Sequence, residues 1–285
     1  MSTLGAVNDA RIPAVLSIAG SDSGGGAGIQ ADLKAFAACG VHGMTAITAI
    51  TAQNTVGVIA VHQVPPDVIV AQVRAVQDDI GVDAVKIGML GNVETIEAVA
   101  RALALLPPAV PIVLDPVMVS ESGAELLEPS ARRRIVELLV PRVSVITPNV
   151  PEAQALAGEG ARPDPIVLAR ALHALGTGAV VVTGGHREEA VDVFFDGERL
   201  EEIGGARYLA SAAHGSGCTH SSVLASRLAW GDDPLQAARV AKELASRAVR
   251  DGLDGIGAGP GPVDALAITH RPHDRLPLAA RAPLT

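Results

Sequence analysis

The sequence predicts an α/β fold with a mostly parallel central sheet, helices on both faces and a short antiparallel edge. Short apolar runs alternate with segments of helical periodicity along most of the chain, which is typical of parallel sheets covered on both faces. Glycine-rich or proline-rich loops follow these apolar runs. Between residues 190 and 209 the pattern changes to short extended segments with turn signals at Asp196-Gly197 and Gly204-Gly205, which predicts antiparallel strands at one sheet edge.

Each predicted strand is a short apolar or β-branched run that ends in a turn-forming loop. These runs lie at 14–19, 42–51, 58–64, 84–87, 112–115, 143–147 and 179–182. Each predicted helix has apolar residues at helical spacing, and several begin at proline or end at glycine. The helices lie at 29–39, from 65 onward, 93–106, 130–139, after 151, after 165, 219–230 and 234–249.

The chain is long enough for one large domain. Its 285 residues can bury a sizeable core, and no internal repeat or compositional break marks a boundary. We therefore expect a flexible leader at 1–12, a single domain at 13–268 and a flexible tail at 269–285.

Composition and charge argue against several functions. Aromatic residues make up 2% of the sequence and the formal net charge is −9, so we expect no nucleic-acid partner. No basic and apolar leader opens the chain and no apolar run is long enough to span a bilayer, so we expect no membrane association. The two cysteines, Cys39 and Cys218, are too few for a disulfide framework and favour a cytoplasmic protein.

The segment 213–222 combines a Gly-Ser-Gly turn with the start of a helix. Glycines at 215 and 217 let backbone N–H groups turn towards a ligand, and the first helical turn adds further donors, so the segment predicts an anion site. Cys218 lies at the mouth of that helix, where the ionised thiol is favoured. The alternative is an ordinary helix start with a small buried cysteine.

Two common nucleotide-binding motifs are absent. The first glycine-rich loop places glycines at 24, 26 and 28, and the dinucleotide fingerprint fails because Ile29 stands where its last glycine is needed. A P-loop requires Gly-Lys-Ser/Thr, and none of the three lysines follows a glycine. These lysines are Lys34, Lys86 and Lys242.

Asp115, Asn149 and Glu152 follow predicted strands and could bring oxygen ligands together around a hydrated Mg²⁺. The alternative is that they cap the helices that follow. A zinc site from His214, Cys218 and His220 is disfavoured because this is a poor ligand set.

Two charged residues lie inside predicted elements. Asp32 is expected in the first turn of a helix, where the helix dipole is enough to explain it. Lys86 lies inside an apolar strand and is expected to have a partner.

The motifs in this order resemble the hydroxymethylpyrimidine/phosphomethylpyrimidine kinases of thiamin synthesis, members of the ribokinase-like superfamily. The resemblance extends from about residue 15 to residue 263. Its carriers are Ala-Gly-Ser-Asp at 19–22, Gly-Gly-Ala-Gly-Ile-Gln-Ala-Asp-Leu-Lys at 25–34, Ala-Gln-Asn-Thr at 52–55, Val-Lys-Ile-Gly-Met-Leu at 85–90, Leu-Asp-Pro-Val-Met at 114–118, Thr-Pro-Asn-Val-Pro-Glu-Ala at 147–153 and His-Gly-Ser-Gly-Cys-Thr at 214–219.

The resemblance implies a ribokinase-like fold and ATP- and Mg²⁺-dependent phosphorylation of 4-amino-5-hydroxymethyl-2-methylpyrimidine and then of its monophosphate. It implies a homodimer, because relatives are commonly dimers. It places the pyrimidine against Gly20, Asp32, Gln53, Met89 and Val117. It places ATP against Glu152, Thr183, Gly185, Gly215 and Gly217, and gives the catalytic step to Cys218 in the cradle of Gly215, Ser216 and Gly217.

Two residues depart from the family pattern. Thr183 stands where many relatives carry lysine, which leaves open which cation replaces it, and Ser23 stands where proline is frequent.

Two other functions stay open at this point. One is a pyridoxine/pyridoxal kinase of the same superfamily, and the other is a non-catalytic pyrimidine-binding module.

Overall fold

The computed structural model describes residues 11–120, 123–158, 160–184, 190–206, 208 and 212–270. The strands are β1 Ala14–Asp22, β2 His42–Gln53, β3 Val58–Gln63, β4 Ala84–Ile87, β5 Ile112–Leu114, β6 Val145–Ile146, β7 Ala179–Val182, β8 Asp192–Phe195 and β9 Leu200–Ile203. The helices are α1 Gly28–Ala38, α2 Pro66–Asp79, α3 Val93–Leu103, α4 Pro129–Leu138, α5 Val150–Ala157, α6 Pro165–His173, α7 Ser216–Ala229 and α8 Pro234–Arg250. Short 3₁₀ turns lie at Val140–Arg142 and Ile268–His270.

The strands form one sheet in the order β3-β2-β1-β4-β5-β6-β7-β8-β9. Six of them, β1, β2 and β4 to β7, are parallel, which confirms the predicted α/β fold. The predicted antiparallel edge is confirmed in β8 and β9.

A second antiparallel edge, formed by β3 against β2, was not predicted. The connection between these strands spans only residues 54–57, which is too short for the crossover that a parallel pair requires. The side chain of Asn54 closes this turn by accepting hydrogen bonds from the N–H groups of Val56 and Gly57.

Helices cover both faces of the sheet. Helices α1, α7 and α8 pack together on one face, and α2 to α6 pack on the other. The side chains of β1 alternate between the two cores, since Leu16 and Ile18 belong to one hydrophobic cluster and Val15 belongs to the other with Phe36 and Leu224. Both faces of the parallel strands are therefore buried, as their apolar sequences predict.

The order of the sheet reverses at β1, because β2 lies on one side of it and β4 on the other. In open parallel sheets, ligands bind beyond the carboxyl ends of the strands near such a switch point. The loops that follow β1, β4, β5, β6 and β7 all open at this edge of the sheet.

The predicted domain limits, residues 13 and 268, stay predictions. Residues 1–10 and 271–285, which hold most of the predicted leader and tail, lie outside the described residues. The last described turn, Ile268–His270, reaches past residue 269, where the tail was expected to begin.

Among the described helices, none is long and apolar enough to cross a membrane.

Candidate active site

A cavity of about 440 Å³ lies at the carboxyl ends of the parallel strands. Its volume suits a small organic ligand, and it brings together most of the predicted site residues. The predicted residues that line it are Gly20, Gln53, Met89, Asp115, Val117, Asn149, Glu152, Thr183, Gly215, Ser216, Gly217 and Cys218. Gly185 lies outside the described residues, and Asp32 does not line the cavity.

The anion cradle is built from Gly215 and the first turn of α7. This helix begins at Ser216, three residues earlier than predicted, because Gly215 adopts a left-handed φ of 84° and serves as its N-cap. Among the described residues, the N–H groups of Gly217 and Cys218 have no backbone partner, whereas that of Thr219 bonds to the Gly215 carbonyl. Free amides at a helix N-terminus point towards an anion, so this turn can bind a phosphate.

The loop after β1 is folded around the carboxylate of Asp22. That carboxylate accepts hydrogen bonds from the N–H groups of Gly24, Gly26 and Ala27 and lies 3.1 Å from Nε2 of His214. Burial acts to raise the pKa of Asp22, but the hydrogen bonds from His214, Ala27 and Gly24 outweigh burial and lower it. Asp22 therefore ties the glycine-rich loop to the residue that precedes the cradle.

Asp22 and His214 belong to the motifs of the sequence, but this contact between them was not predicted. An Asp followed by glycines is a signal for a side chain that accepts hydrogen bonds from the following backbone, which could have suggested half of the arrangement. The contact with His214 joins residues 192 positions apart and had no local signal.

Asn149 and Glu152 form a capping box at the start of α5. Oδ1 of Asn149 accepts from the N–H of Glu152 at 2.9 Å, and Oε2 of Glu152 accepts from the N–H of Asn149 at 2.9 Å. The interpretation of these residues as a helix start is thus confirmed. The amide oxygen of Asn149 is engaged in the cap, so it is a poorer candidate for a metal ligand than the sequence indicated.

Asp115 lies directly after β5, and Ser221 of α7 donates a hydrogen bond to its Oδ2 at 2.9 Å. Burial raises the pKa of Asp115, although Lys86 and Ser221 act in the opposite direction. Burial and the charge of Asp115 raise the pKa of Glu152 to about 8. Because the charge of Asp115 disfavours the ionised form of Glu152, a cation placed near both carboxyl groups would be stabilised.

The described residues include no cluster of three or more ligands of the kind that holds a metal directly. Mg²⁺ retains most of its water and needs only one or two carboxylates, so the pair of Asp115 and Glu152 fits a hydrated Mg²⁺.

The Cys218 thiol is less acidic than its place at a helix N-terminus predicts. Burial is the main cause and raises its pKa to about 12. The ammonium of Lys86 lowers this pKa, while the negative charges of Asp32 and Asp115 raise it. The expectation that the helix terminus favours the ionised thiol is therefore wrong for this cavity, because desolvation outweighs the dipole.

This raised pKa predicts a steep pH dependence of Cys218 alkylation. Only the thiolate reacts, and its fraction rises about tenfold per pH unit below the pKa. In a Cys39→Ala background, the rate of iodoacetamide alkylation should therefore climb without a plateau from about pH 7 to about pH 10. Mass spectrometry of the modified peptide measures it, and a plateau below pH 9 would contradict the assignment.

Asp32 lies behind the cavity wall, which corrects its predicted place against the pyrimidine. It is fully buried in the second turn of α1 and forms an ion pair with Lys86, with 2.9 Å between Nζ and Oδ1. The first turn of α1 contains no acidic residue, so the helix dipole does not explain it either. The expectation that Lys86 has a partner is confirmed.

The other end of the cavity carries a charged cluster that sequence reasoning missed. Lys242 of α8 forms an ion pair with Asp192 of β8 at 2.7 Å, and Nε2 of His220 lies 3.4 Å from the same carboxylate. These three residues line the cavity together with Thr183. The signal was a lysine inside the apolar stripe of a helix, although its partner lies 50 residues away in the sequence.

A model of the family described as phosphomethylpyrimidine kinase matches residues 22–264 of the chain. The chain belongs to the phosphomethylpyrimidine kinase family. The matched range contains every predicted site residue except Gly20. The ribokinase-like resemblance drawn from the motifs is thereby confirmed at the level of the family.

Known members and neighbours of the phosphomethylpyrimidine kinase family agree with this assignment. A hydroxymethylpyrimidine/phosphomethylpyrimidine kinase of Rhizobium meliloti is 47% identical over 255 residues, which cover 87% of this chain and 95% of that protein. The phosphomethylpyrimidine kinase of Clostridium difficile 630 superimposes with a TM-score of 0.70 at 40% identity, covering 81% and 96% of the two chains. Pyridoxal kinase from Staphylococcus aureus in complex with ADP gives a TM-score of 0.82 at 33% identity, covering 90% and 94%.

Proposed function

We propose that this chain is a kinase that transfers the γ-phosphoryl group of ATP to 4-amino-5-hydroxymethyl-2-methylpyrimidine and then phosphorylates the monophosphate to the diphosphate. The observation that carries the proposal is one continuous cavity with an amide side chain, Gln53, on its wall and an anion cradle at Gly215 and Cys218. The family membership supports the same activity.

The pyrimidine end of the cavity is formed by Gly20, Gln53, Met89 and Val117. A side chain at position 20 would meet Met89, since an added Cβ would lie 3.1 Å from the Met89 sulfur, so glycine keeps this wall open for a flat ring. The hydroxyl of Thr51 donates to Oε1 of Gln53 at 3.1 Å and orients the amide. That amide can donate to and accept from an aminopyrimidine edge.

Phosphoryl transfer needs alignment and charge stabilisation more than covalent chemistry from the protein. The hydroxymethyl oxygen attacks the γ-phosphorus, the bond between that phosphorus and the bridging oxygen breaks, and ADP leaves with the electron pair. The hydroxyl proton passes to the sulfur of Cys218 in its thiolate form, which the raised pKa makes the minor form at neutral pH. The amides of Gly217 and Cys218 stabilise the charge on the transferred group.

ATP would lie between the cradle and the wall formed by Glu152 and Thr183, and Gly185 stays a predicted contact. Complexes of Staphylococcus aureus pyridoxal kinase with ADP and with AMP-PCP support a nucleotide site in this fold. Asp115 and Glu152 would hold a hydrated Mg²⁺, which supplies neutralisation of the phosphate charge. Lys242 is the described lysine on the wall beside Thr183 and is our candidate for the missing cation.

The direct test compares turnover of the hydroxymethylpyrimidine, its monophosphate and pyridoxal with ATP and Mg²⁺, with ADP release and product mass as readouts. The proposal expects kcat/KM to be highest for the pyrimidines. A clear preference for pyridoxal would overturn it in favour of the related kinase activity. Tight pyrimidine binding without ADP release would instead indicate a binding module.

Gln53→Ala is expected to raise KM for the hydroxymethylpyrimidine by about 10- to 100-fold, because each lost hydrogen bond to a buried polar ligand costs about 1–3 kcal/mol. The value of kcat should fall much less, since Gln53 holds the ring and not the reacting atoms. Thr51→Val is the matched control, because it removes the hydroxyl that bonds to the Gln53 amide and to the Ser21 carbonyl but leaves the amide itself in place. It should therefore raise KM less. Equal KM values for wild type and Gln53→Ala would show that the ring binds elsewhere.

We propose further that the chain forms a homodimer through β3. This strand is one of the two edges of the sheet. With the adjoining β2 it presents Ile50, Ile59 and Val61, which are 51%, 79% and 44% exposed. An exposed apolar edge strand is a site for pairing with another chain.

The variant Ile59→Lys is expected to convert the dimer to a monomer, measured as a halved mass by light scattering. Val167→Lys changes an exposed apolar residue on α6 and should leave the dimer intact. A monomeric wild-type protein would contradict the proposed dimer.

We also propose a cytoplasmic location, which the two free cysteines favour.

A further inference from the structure

The carboxylate of Asp32 joins four elements of the fold beneath the anion cradle. Asp32 belongs to α1, and its oxygens lie 2.9 and 3.1 Å from Nζ of Lys86 in β4. Ser17 of β1 donates to Oδ2 at 2.5 Å, and Ser222 of α7 donates to Oδ1 at 2.8 Å. The helix that carries the cradle is thus anchored to the sheet through one buried carboxylate.

Stability alone is a weak explanation for this ion pair. Both side chains are completely buried, and the loss of water around two charges offsets most of their mutual attraction. A protein in which well-packed apolar residues of similar volume replace a buried ion pair is often equally stable. The charges do, however, act on whatever titratable or reacting groups lie beside them.

Lys86 lies where its charge reaches the reacting end of the cavity. It contributes to the cavity wall, whereas its partner Asp32 lies behind that wall. Gly88 makes room for it, because a Cβ at that position would lie 2.7 Å from Nζ of Lys86. Ser222 follows Cys218 by one helical turn, so the anchored face of α7 is the face that carries the thiol.

Charges from three other elements act on the Cys218 thiol: Lys86 from β4, Asp32 from α1 and Asp115 from the end of β5. Lys86 is the positive one, and it is held in its charged form. Burial alone would lower the pKa of Lys86, but the charges of Asp32, Cys218 and Asp115 outweigh burial and raise it. Lys86 is therefore positively charged at neutral pH.

We propose that Lys86 and Asp32 are a positioning pair for phosphoryl transfer, in which Asp32 fixes the cradle helix and Lys86 holds a positive charge beneath the Cys218 thiol. Lys86 stabilises the sulfur in its ionised form, and it acts through Cys218 without touching the substrate. The inference rests on the proposed role of Cys218 as proton acceptor.

The test compares two variants that differ only in the Lys86 charge, Asp32→Asn and Lys86→Met/Asp32→Asn, both in a Cys39→Ala background. The single variant Lys86→Met is avoided because it leaves the buried carboxylate of Asp32 without a cation, which is strongly destabilising. In Asp32→Asn, by contrast, the negative charge of Asp115 still acts on the Lys86 ammonium. The first readout is the rate of Cys218 alkylation by the uncharged reagent iodoacetamide at one fixed pH. We expect alkylation at least about tenfold slower in the double variant, which corresponds to one unit of thiol pKa.

The same pair of variants is then compared in catalysis. The double variant should show a kcat for hydroxymethylpyrimidine at least about tenfold lower than Asp32→Asn, with both KM values within about threefold. Lys242→Met/Asp192→Asn is the matched control for alkylation, because it neutralises another buried Lys–Asp pair of the cavity wall and should change the rate much less. Thermal unfolding confirms that each variant is folded.

Equal alkylation rates in the two folded variants would overturn the inference. A raised KM for ATP with unchanged kcat would also overturn it, since Lys86 would then bind the nucleotide. The alkylation readout needs no turnover. If the wild-type protein phosphorylates no pyrimidine, the proposed function fails, while the alkylation comparison still decides whether Lys86 acts on the thiol.

Discussion

Cys218→Ala is expected to lower kcat for phosphorylation of the hydroxymethylpyrimidine by about 10²- to 10⁴-fold, the usual contribution of one general base. Binding of the pyrimidine should change little, because the ring is held at the Gln53 end of the cavity. Steady-state kinetics and equilibrium binding separate the two effects. Cys39→Ala changes the other cysteine, which lies at the far end of α1, and should have near-normal activity.

The same variant makes a sharper prediction for the second phosphorylation. The attacking atom of the monophosphate is a phosphate oxygen, which is already anionic near neutral pH because its second pKa is about 6. No proton has to be removed, so Cys218→Ala should slow this step far less than the first. Equal losses in both steps, or a near-normal rate in the first, would remove Cys218 from the role of base.

Gly215→Ala is expected to destabilise the protein by about 2–5 kcal/mol and to abolish phosphoryl transfer. Its φ of 84° is costly for a residue with a side chain, by about 1–2 kcal/mol. An added Cβ would also lie 1.9 Å from the Gly26 carbonyl oxygen, and relief of such overpacking costs about 1–3 kcal/mol more. Thermal unfolding should show a Tm lower by about 5–15 °C.

Gly217→Ala is the matched control for stability. Gly217 lies two residues further on in the same cradle, and a Cβ at this position meets no atom within 4 Å. Alanine is also the better helix former, by up to about 1 kcal/mol. The variant should be as stable as wild type, and a large loss of stability would show that the cradle is packed differently. Unchanged stability in Gly215→Ala would contradict the close contact with the Gly26 loop.

The parallel part of the fold could be predicted because each strand is a continuous apolar run with a clear end. The predicted strand at 179–182 coincides with β7, since buried valines and the flanking glycines leave no other choice. The β2–β3 edge escaped prediction because its extended segments look alike in either direction. What makes the pair antiparallel is the shortness of the Asn54 turn.

The candidate site divides in the same way. Residues that lie directly after strands, such as Asp115 and Thr183, could be placed at the cavity because chain order and sheet direction together determine where they lie. Asp32 could not, because its position depends on which face of α1 meets Lys86, a contact between residues 54 positions apart. The raised pKa of the Cys218 thiol could not be predicted for a related reason. It is caused mainly by burial, which depends on packing between distant parts of the chain.

The central claim is that one cavity holds the pyrimidine at Gln53 and presents its hydroxymethyl group to Cys218. A crystal structure with the hydroxymethylpyrimidine and a non-hydrolysable ATP analogue tests this most directly. We predict the ring against Gln53 and the hydroxymethyl oxygen about 3–3.5 Å from Sγ of Cys218, on the line to the γ-phosphate in the Gly215 cradle. A pyrimidine bound with its hydroxymethyl group directed away from Cys218, or a γ-phosphate outside the cradle, would contradict the account.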